Sequence, residues 1–392
     1  MLSRLKLLVV HALNPLLLLS HAGMSSAGEA GSDRPEGWDL LNMPVGVTES
    51  ARNSYDIHMY VIWVCVAIGV VVFGVMIYSM FAHRKSLGHE PATFHESTTV
   101  ELAWTIIPVF ILIALAVPAT TSMVERYDTS EADMDIKITG YQWKWQYEYL
   151  GEDVQFMSEL STSEPAIYGK EAKTQYYLSE VNQPLVIPVG QKVRFLVTAK
   201  DVLHAWWVPD LGVKKDAIPG FVNEAWTRAE KPGIYRGFCA ELCGKGHAFM
   251  PIVVNVVEAD EYTQWLADKK AAVAAERELA NKTFTQEELM AKGEEAYNRS
   301  CASCHMANGE GIPGAFPALK ASPIALGPVA NHLDMVINGS AANAAMQAFG
   351  GQLSEVDLAA IITYERNAWG NDAQGEEKIV QPIDVLKFKQ GQ

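Results

Sequence analysis

Between Cys239 and Met250 the chain reads Cys239-Ala-Glu-Leu-Cys243-Gly-Lys-Gly-His247-Ala-Phe-Met250, placing two thiols, an imidazole and a thioether within twelve residues. Soft sulfur donors with imidazole suit copper. A single-copper electron-transfer site uses one Cys, two His and a weak Met. Here a second Cys, four residues after the first, lets both sulfurs bridge two metals. One electron shared over two metals in a rigid loop changes bond lengths little, which favours fast transfer. Zinc held as Cys-x3-Cys-x3-His is the plainer alternative, with a further histidine as fourth ligand, but it leaves Met250 unused. His204, in Asp201-Val-Leu-His204-Ala-Trp-Trp, supplies a donor from far upstream.

A second constellation is Cys301-Ala-Ser-Cys304-His305. Cys-x-x-Cys-His is the attachment signature of c-type haem: the thiols add to the vinyl groups and the histidine reaches the iron. A thioredoxin-like redox pair is the alternative, but that motif opens a helix after a strand and needs no following histidine. An electron-transfer haem takes a second axial ligand, and methionine raises its potential. Met346 is the choice, just before a helix that Ser354 and Asp357 begin. Met335, read as packing inside its helix, and His332, read as a surface or satisfied histidine, are its rivals. Cys65 stands apart in an apolar run and reads as packing.

These residues must be held by three kinds of element. Period-two alternation (Met134, Ile136, Ile138; Leu185, Ile187, Val189; Val193, Phe195, Val197) predicts β-strands, and a last strand over Pro251–Val257 follows the copper loop. An antiparallel sandwich or barrel over 130–265 is expected. From Asp260 to about Ala291 the chain is charged and alanine-rich, a polar helical connector, with 266–285 as linker. Thr285 with Glu288 is a capping-box signal for the helix leading into Cys301, opening an all-α domain over 286–370 before a tail over 371–392.

Two uncharged apolar stretches, Met59–Ala82 and Leu102–Val124, can each cross a bilayer, giving a hairpin within 40–126 with helices at about 58–82 and 101–124. Pro108 and Pro118 are tolerable in lipid. Residues 1–26, with Arg4 and Lys6, an apolar run and small residues, have a secretory signal pattern, with cleavage expected between Ala22 and Ala30. The mature N-terminus is then outside, and two crossings return everything after Val124 to the periplasmic side. Arg84 and Lys85 in the intervening loop give only a weak charge signal, offset by Glu90 and Glu96. The net charge of -15 argues against nucleic acid and suits a basic protein partner, such as a lysine-rich electron donor.

The loop from Cys239 to Met250 resembles the copper A loop of cytochrome c oxidase subunit II, and the likeness covers nearly all of residues 40–265. Residues 286–370 resemble a small class I cytochrome c, including the run Gly311–Leu319 that would line the haem edge. The resemblance implies a multidomain chain: a two-helix transmembrane hairpin, an all-β cupredoxin-like sandwich and an all-α cytochrome c domain. It implies that Cys239 and Cys243 bridge two coppers, that His204 and Met250 complete one copper, and that His247 with the backbone carbonyl of Glu241 completes the other. The Glu241 side chain would face a magnesium or manganese ion shared with subunit I. Gly140–Tyr149 is similar to the family's aromatic segment, in which Trp143 takes the electron; its rings exceed what a plain strand core requires. Glu101 matches a glutamate at the mouth of a proton channel into subunit I, the plain alternative being a helix-start carboxylate. Gln347 departs from the proline that follows the axial methionine in many relatives.

The function implied is an oxidase subunit that accepts electrons through haem c, passes them to copper A and on to subunit I, where dioxygen is reduced to water. The alternative is the electron-transfer subunit of a copper A-containing nitric oxide reductase. Subunits I and III, a soluble or membrane-bound cytochrome c or other donor, and membrane lipid are the implied partners, in a bacterial-type inner membrane. No histidine cluster suited to oxygen chemistry occurs in Met59–Val124, so no turnover is expected from this chain alone.

Overall fold

The computed structural model describes residues 41–90, 93–340, 343, 346–373 and 378–391; the expected signal segment lies outside them. Helices α1 (Glu49–Ala82) and α2 (Thr98–Tyr127) are long and apolar enough to cross a membrane, and their apolar side chains are exposed almost throughout. At about 1.5 Å per residue, each exceeds the ~30 Å hydrocarbon core. Pro108 and Pro118 lie inside α2 without interrupting it. Cys65 is exposed on α1.

Both helices are seated on the β-domain. Thr48 caps α1 and donates its hydroxyl to the Leu211 carbonyl at 3.1 Å, while Val47 N donates to Asp210 O at 2.8 Å. Arg126, in the last turn of α2, donates to Gly212 O (3.2 Å) and Ser50 O (2.7 Å), stitching helix ends and β-domain together.

The β-domain has ten strands in two sheets: β1 (Met134–Tyr141), β2 (Lys144–Tyr149), β3 (Val154–Ser158), β4 (Leu185–Pro188), β5 (Val193–Ala199), β6 (His204–Val208), β7 (Val213–Ala217), β8 (Asn223–Thr227), β9 (Gly233–Cys239) and β10 (Pro251–Val257). Their orders are β3-β2-β1-β5-β8 and β4-β10-β9-β6-β7. The sandwich is not purely antiparallel: β1 pairs with β5 and β10 with β4 in parallel. Both pairs join strands far apart in sequence, and parallel pairing needs such long crossovers. The alternating residues do face inward; Ile136, Ile138, Leu185, Ile187, Val193, Phe195 and Val197 are wholly buried.

The aromatic segment corrects one expectation. Trp145, Tyr147 and Tyr149 occupy alternate positions of β2 and are all buried in the core between the sheets, so packing accounts for them. Trp143, in the β1–β2 turn, is only partly buried.

The connector forms one helix, α3 (Ala259–Ala280), whose first turns belong to the β-domain: Tyr262, Trp265 and Leu266 pack on its core, with the Trp265 and Tyr149 rings 5.1 Å apart. Helix α4 (Gln286–Ser300) follows, with both halves of the Thr285/Glu288 capping box formed. The one-turn α5 (Ala302–His305), then α6 (Val329–Asn338), α7 (Glu355–Asn367) and α8 (Pro382–Lys389) complete the helical domain. Ser354 caps α7 by accepting from Asp357 N. Helices α4 and α7 cross at Gly293, where a Cβ would stand 2.2 Å from the Ala360 carbonyl oxygen. Val380, just before α8, and Val385 within it are part of this core.

Candidate functional site

The loop between β9 and β10 brings its donors into one buried cluster with the first residue of β6. Cys239 Sγ and Cys243 Sγ stand 3.8 Å apart, well beyond the bonded ~2.05 Å of a disulfide. His204 Nδ1 lies 3.9 Å from Cys239 Sγ, and His247 Nδ1 lies 3.5 Å from Cys243 Sγ. Met250 Sδ is 3.5 Å from Cys243 Sγ, and the Glu241 carbonyl oxygen is 3.3 Å from Cys239 Sγ. His204, Cys239 and Cys243 offer ligand atoms all within 4.8 Å of one another. The other four expected donors therefore surround the two sulfurs, while the Glu241 side chain is exposed. A metal–sulfur bond of about 2.3 Å reaches both sulfurs from either side of the line joining them, so this donor set fits two bridged metals.

A residue that sequence reasoning missed orients this cluster. Asp201 Oδ1 accepts from His204 Nε2 at 2.9 Å and from Val202 N at 2.7 Å, and Oδ2 accepts from Gln142 N at 2.8 Å. With Nε2–H committed to Asp201, the His204 lone pair at Nδ1 faces the sulfurs. The spacing Asp201-x-x-His204 was the available signal. Burial pushes the Asp201 carboxyl up, but the His204 contact and the two backbone N–H donors outweigh it and hold its pKa below the usual value. Burial alone would lower His204; Asp201 and Cys239 raise it instead. Cys239 is opposed by burial yet brought down to about 7 by His204 and by backbone hydrogen bonds at Glu241 and Ala205. Burial and the neighbouring Cys239 charge push Cys243 up to about 12. Two such sulfurs both ionise only beside a cation, which inverts this local order.

Trp143 is tied to the loop directly: its Nε1 donates to the Cys243 carbonyl at 3.1 Å, and Gln142 Nε2 donates to the same oxygen at 2.7 Å. The ring lies over Gly246, where a Cβ would come within 2.2 Å of Trp143 Cδ2. Trp145 stacks edge-on to His204 at 5.9 Å and donates Nε1 to Met250 O at 3.3 Å, so the core aromatics also brace the ligands.

In the helical domain Cys301, Cys304 and His305 line a cavity of about 280 Å³, together with Phe316, Pro317, Leu319 and Met346. His305 Nδ1 lies 2.9 Å from the Pro317 carbonyl, so Nδ1–H is donated there and Nε2 keeps its lone pair for a metal. Both thiols are unpaired, and the cavity wall is chiefly apolar, which fits a haem. Met335 lines the cavity rather than packing away from it. His332 also lines it and, of the two expected readings, is the satisfied rather than the surface histidine at Nε2, being buried and paired there with Glu365 at 2.7 Å, while Nδ1 has no partner among the described residues. Glu101 is exposed in the first turn of α2.

Residues 35–121 match the family model described as cytochrome c oxidase subunit II, transmembrane domain, and residues 134–257 match that for its periplasmic domain. Residues 288–364 match a model described as cytochrome c oxidase, cbb3-type, subunit III. A probable cytochrome c oxidase subunit 2 of Rickettsia bellii is 38% identical over 221 residues, covering 56% of this chain and 80% of that protein. The chain belongs to the cytochrome c oxidase subunit 2 family. Cytochrome c oxidase subunit 2 of Cereibacter sphaeroides is 37% identical over 221 residues, covering 53% of this chain and 73% of that one. The solved periplasmic domain of subunit II from Bradyrhizobium japonicum is 41% identical, covering 37% of this chain and 98% of that one, at a TM-score of 0.33. The chain is thus a two-pass membrane subunit of an oxidoreductase complex, with a copper A-type domain outside the membrane and a cytochrome c domain behind it.

Proposed function

We propose that this chain is the electron inlet of a haem–copper cytochrome c oxidase. When bound, haem c and the copper pair are one-electron carriers in series between an external donor and subunit I, where dioxygen is reduced to water. The haem unit is residues 286–370 and the copper unit residues 130–265. Cys301 and Cys304 would anchor the haem, with His305 Nε2 and the Met346 sulfur on its iron. Cys239 and Cys243 would bridge the coppers, His204 with Met250 completing one and His247 with the Glu241 carbonyl the other. Asp201 holds His204 in the ligating tautomer, and Trp143 is the entry ring bonded to the copper loop.

The exposed Glu241 carboxylate would meet a magnesium or manganese ion at subunit I, and Glu101 would stand at a proton entrance on the other side of the membrane. Subunits I and III would cover the apolar faces of α1 and α2 in a bacterial-type cytoplasmic membrane. The chain alone would not turn over. The observation that carries the reading is the set of four donors gathered around two buried sulfurs 3.8 Å apart. Absorption spectra of the purified chain test it: a dithionite-sensitive c-type haem band and a near-infrared copper band are expected, and the lack of either overturns it.

A further inference from the structure

The loop that follows Met346 does not end in solvent. Gln347 Nε2 donates to the Gln142 carbonyl oxygen at 3.1 Å, and Gln146 Nε2 donates to the Gly351 carbonyl oxygen at 2.9 Å. The two bonds run in opposite directions across the contact, one donor from each domain. They bracket the Gln142–Gln146 segment, which carries Trp143. Gln142 itself continues inward, donating Nε2 to the Cys243 carbonyl at 2.7 Å.

From these contacts we infer that Gln347 and Gln146 form a polar clamp that docks the haem domain, by its Met346–Gly351 loop, onto the Trp143 segment of the copper domain. Gln347 and Gln146 are positioning residues. The clamp rests on the proposed relay for its purpose, but its geometry stands apart from it. It explains the departure at position 347: a proline there has no side-chain donor to give to Gln142. Its consequence is that the entry face of the copper domain is occupied by the chain's own haem domain. An external donor then meets the haem domain and does not reach Trp143.

The test uses the full chain with haem and copper loaded, in two variants. Gln347→Leu removes the donor, and Gln347→Glu sets a carboxylate against the Gln142 carbonyl. Losing one hydrogen bond at such a contact lowers the equilibrium constant for docking about fivefold to tenfold, with the carboxylate variant at the larger end. Pulsed dipolar EPR between the oxidised haem and the copper pair should give one narrow distance in the parent chain and a broadened distribution in both variants. The haem-to-copper electron-transfer rate after flash reduction should fall in proportion to the docked population in both variants, with the haem midpoint potential unchanged in Gln347→Leu and the near-infrared copper band unchanged in both. Parent-like distance distributions and rates in both variants would overturn the clamp. A parent chain that shows a narrow distance but no haem-to-copper transfer would instead overturn the relay and leave the clamp standing.

Discussion

Asp201→Asn is the sharpest single probe of how the copper site is built. The parent carboxylate accepts from three N–H groups: His204 Nε2 and Val202 N at Oδ1, and Gln142 N at Oδ2. An amide has one oxygen. If that oxygen takes the Oδ1 position, the NH2 group opposes Gln142 N–H; turned over, it opposes both Val202 N–H and His204 Nε2–H. His204 escapes only by moving its proton to Nδ1, the atom that must stay bare to bind metal. Leaving one such buried donor unpaired costs about 1–3 kcal/mol. Loss of a ligand-orienting partner typically lowers metal affinity by about 10–100-fold. Copper retention against a graded chelator, followed by the near-infrared band, reads this directly, with the c-type haem band as internal control because Asp201 is in the other domain. Copper affinity equal to that of the parent would refute the assignment of Asp201 as the residue that fixes His204.

Other outcomes follow from the same geometry. Gly293→Ala drives a methyl to within 2.2 Å of the Ala360 carbonyl, so α4 and α7 must part; a loss of about 1–3 kcal/mol is expected in chemical denaturation of the haem domain, and unchanged stability would contradict the crossing. Met346→Leu should leave the haem covalently attached but lower its midpoint potential, because the thioether is gone; an unchanged potential would pass the axial role to Met335 or His332. Replacing both Cys301 and Cys304 with Ser should abolish haem retained under denaturing electrophoresis while leaving the copper band. That variant should also reduce its copper slowly when mixed with a soluble c-type cytochrome, and rapid reduction would show that Trp143 is open to external donors.

The candidate donors that the structure brings together were legible wherever they sit close in sequence. Cys239 to Met250 and Cys301 to His305 are short segments whose side chains meet because a tight loop or one helical turn brings them together. His204 was read as standing at the end of a strand, whereas it begins β6. Asp201 was not singled out, since a carboxylate near a strand end is ordinary until its hydrogen bonds are seen. The aromatic segment misled for the opposite reason: Trp145, Tyr147 and Tyr149 look like more than a core needs, yet period two places all three inside. The parallel pairs β1–β5 and β4–β10 were beyond reach, because strand neighbours distant in the chain leave no local pattern. The same holds for Gln347 and Gln146, whose partners lie 205 residues away. Met335 was read as packing inside its helix, although a helix facing a pocket buries its residues there as readily as against a core.

The order in which the two centres fill with electrons tests the central claim most directly. In rapid mixing of the oxidised chain with a soluble donor, the c-type haem band should rise first, and the near-infrared copper band should bleach only as the haem passes its electron on, one equivalent for one. A copper band that bleaches before the haem is reduced, or at a rate independent of it, would contradict an inlet that runs from haem to copper.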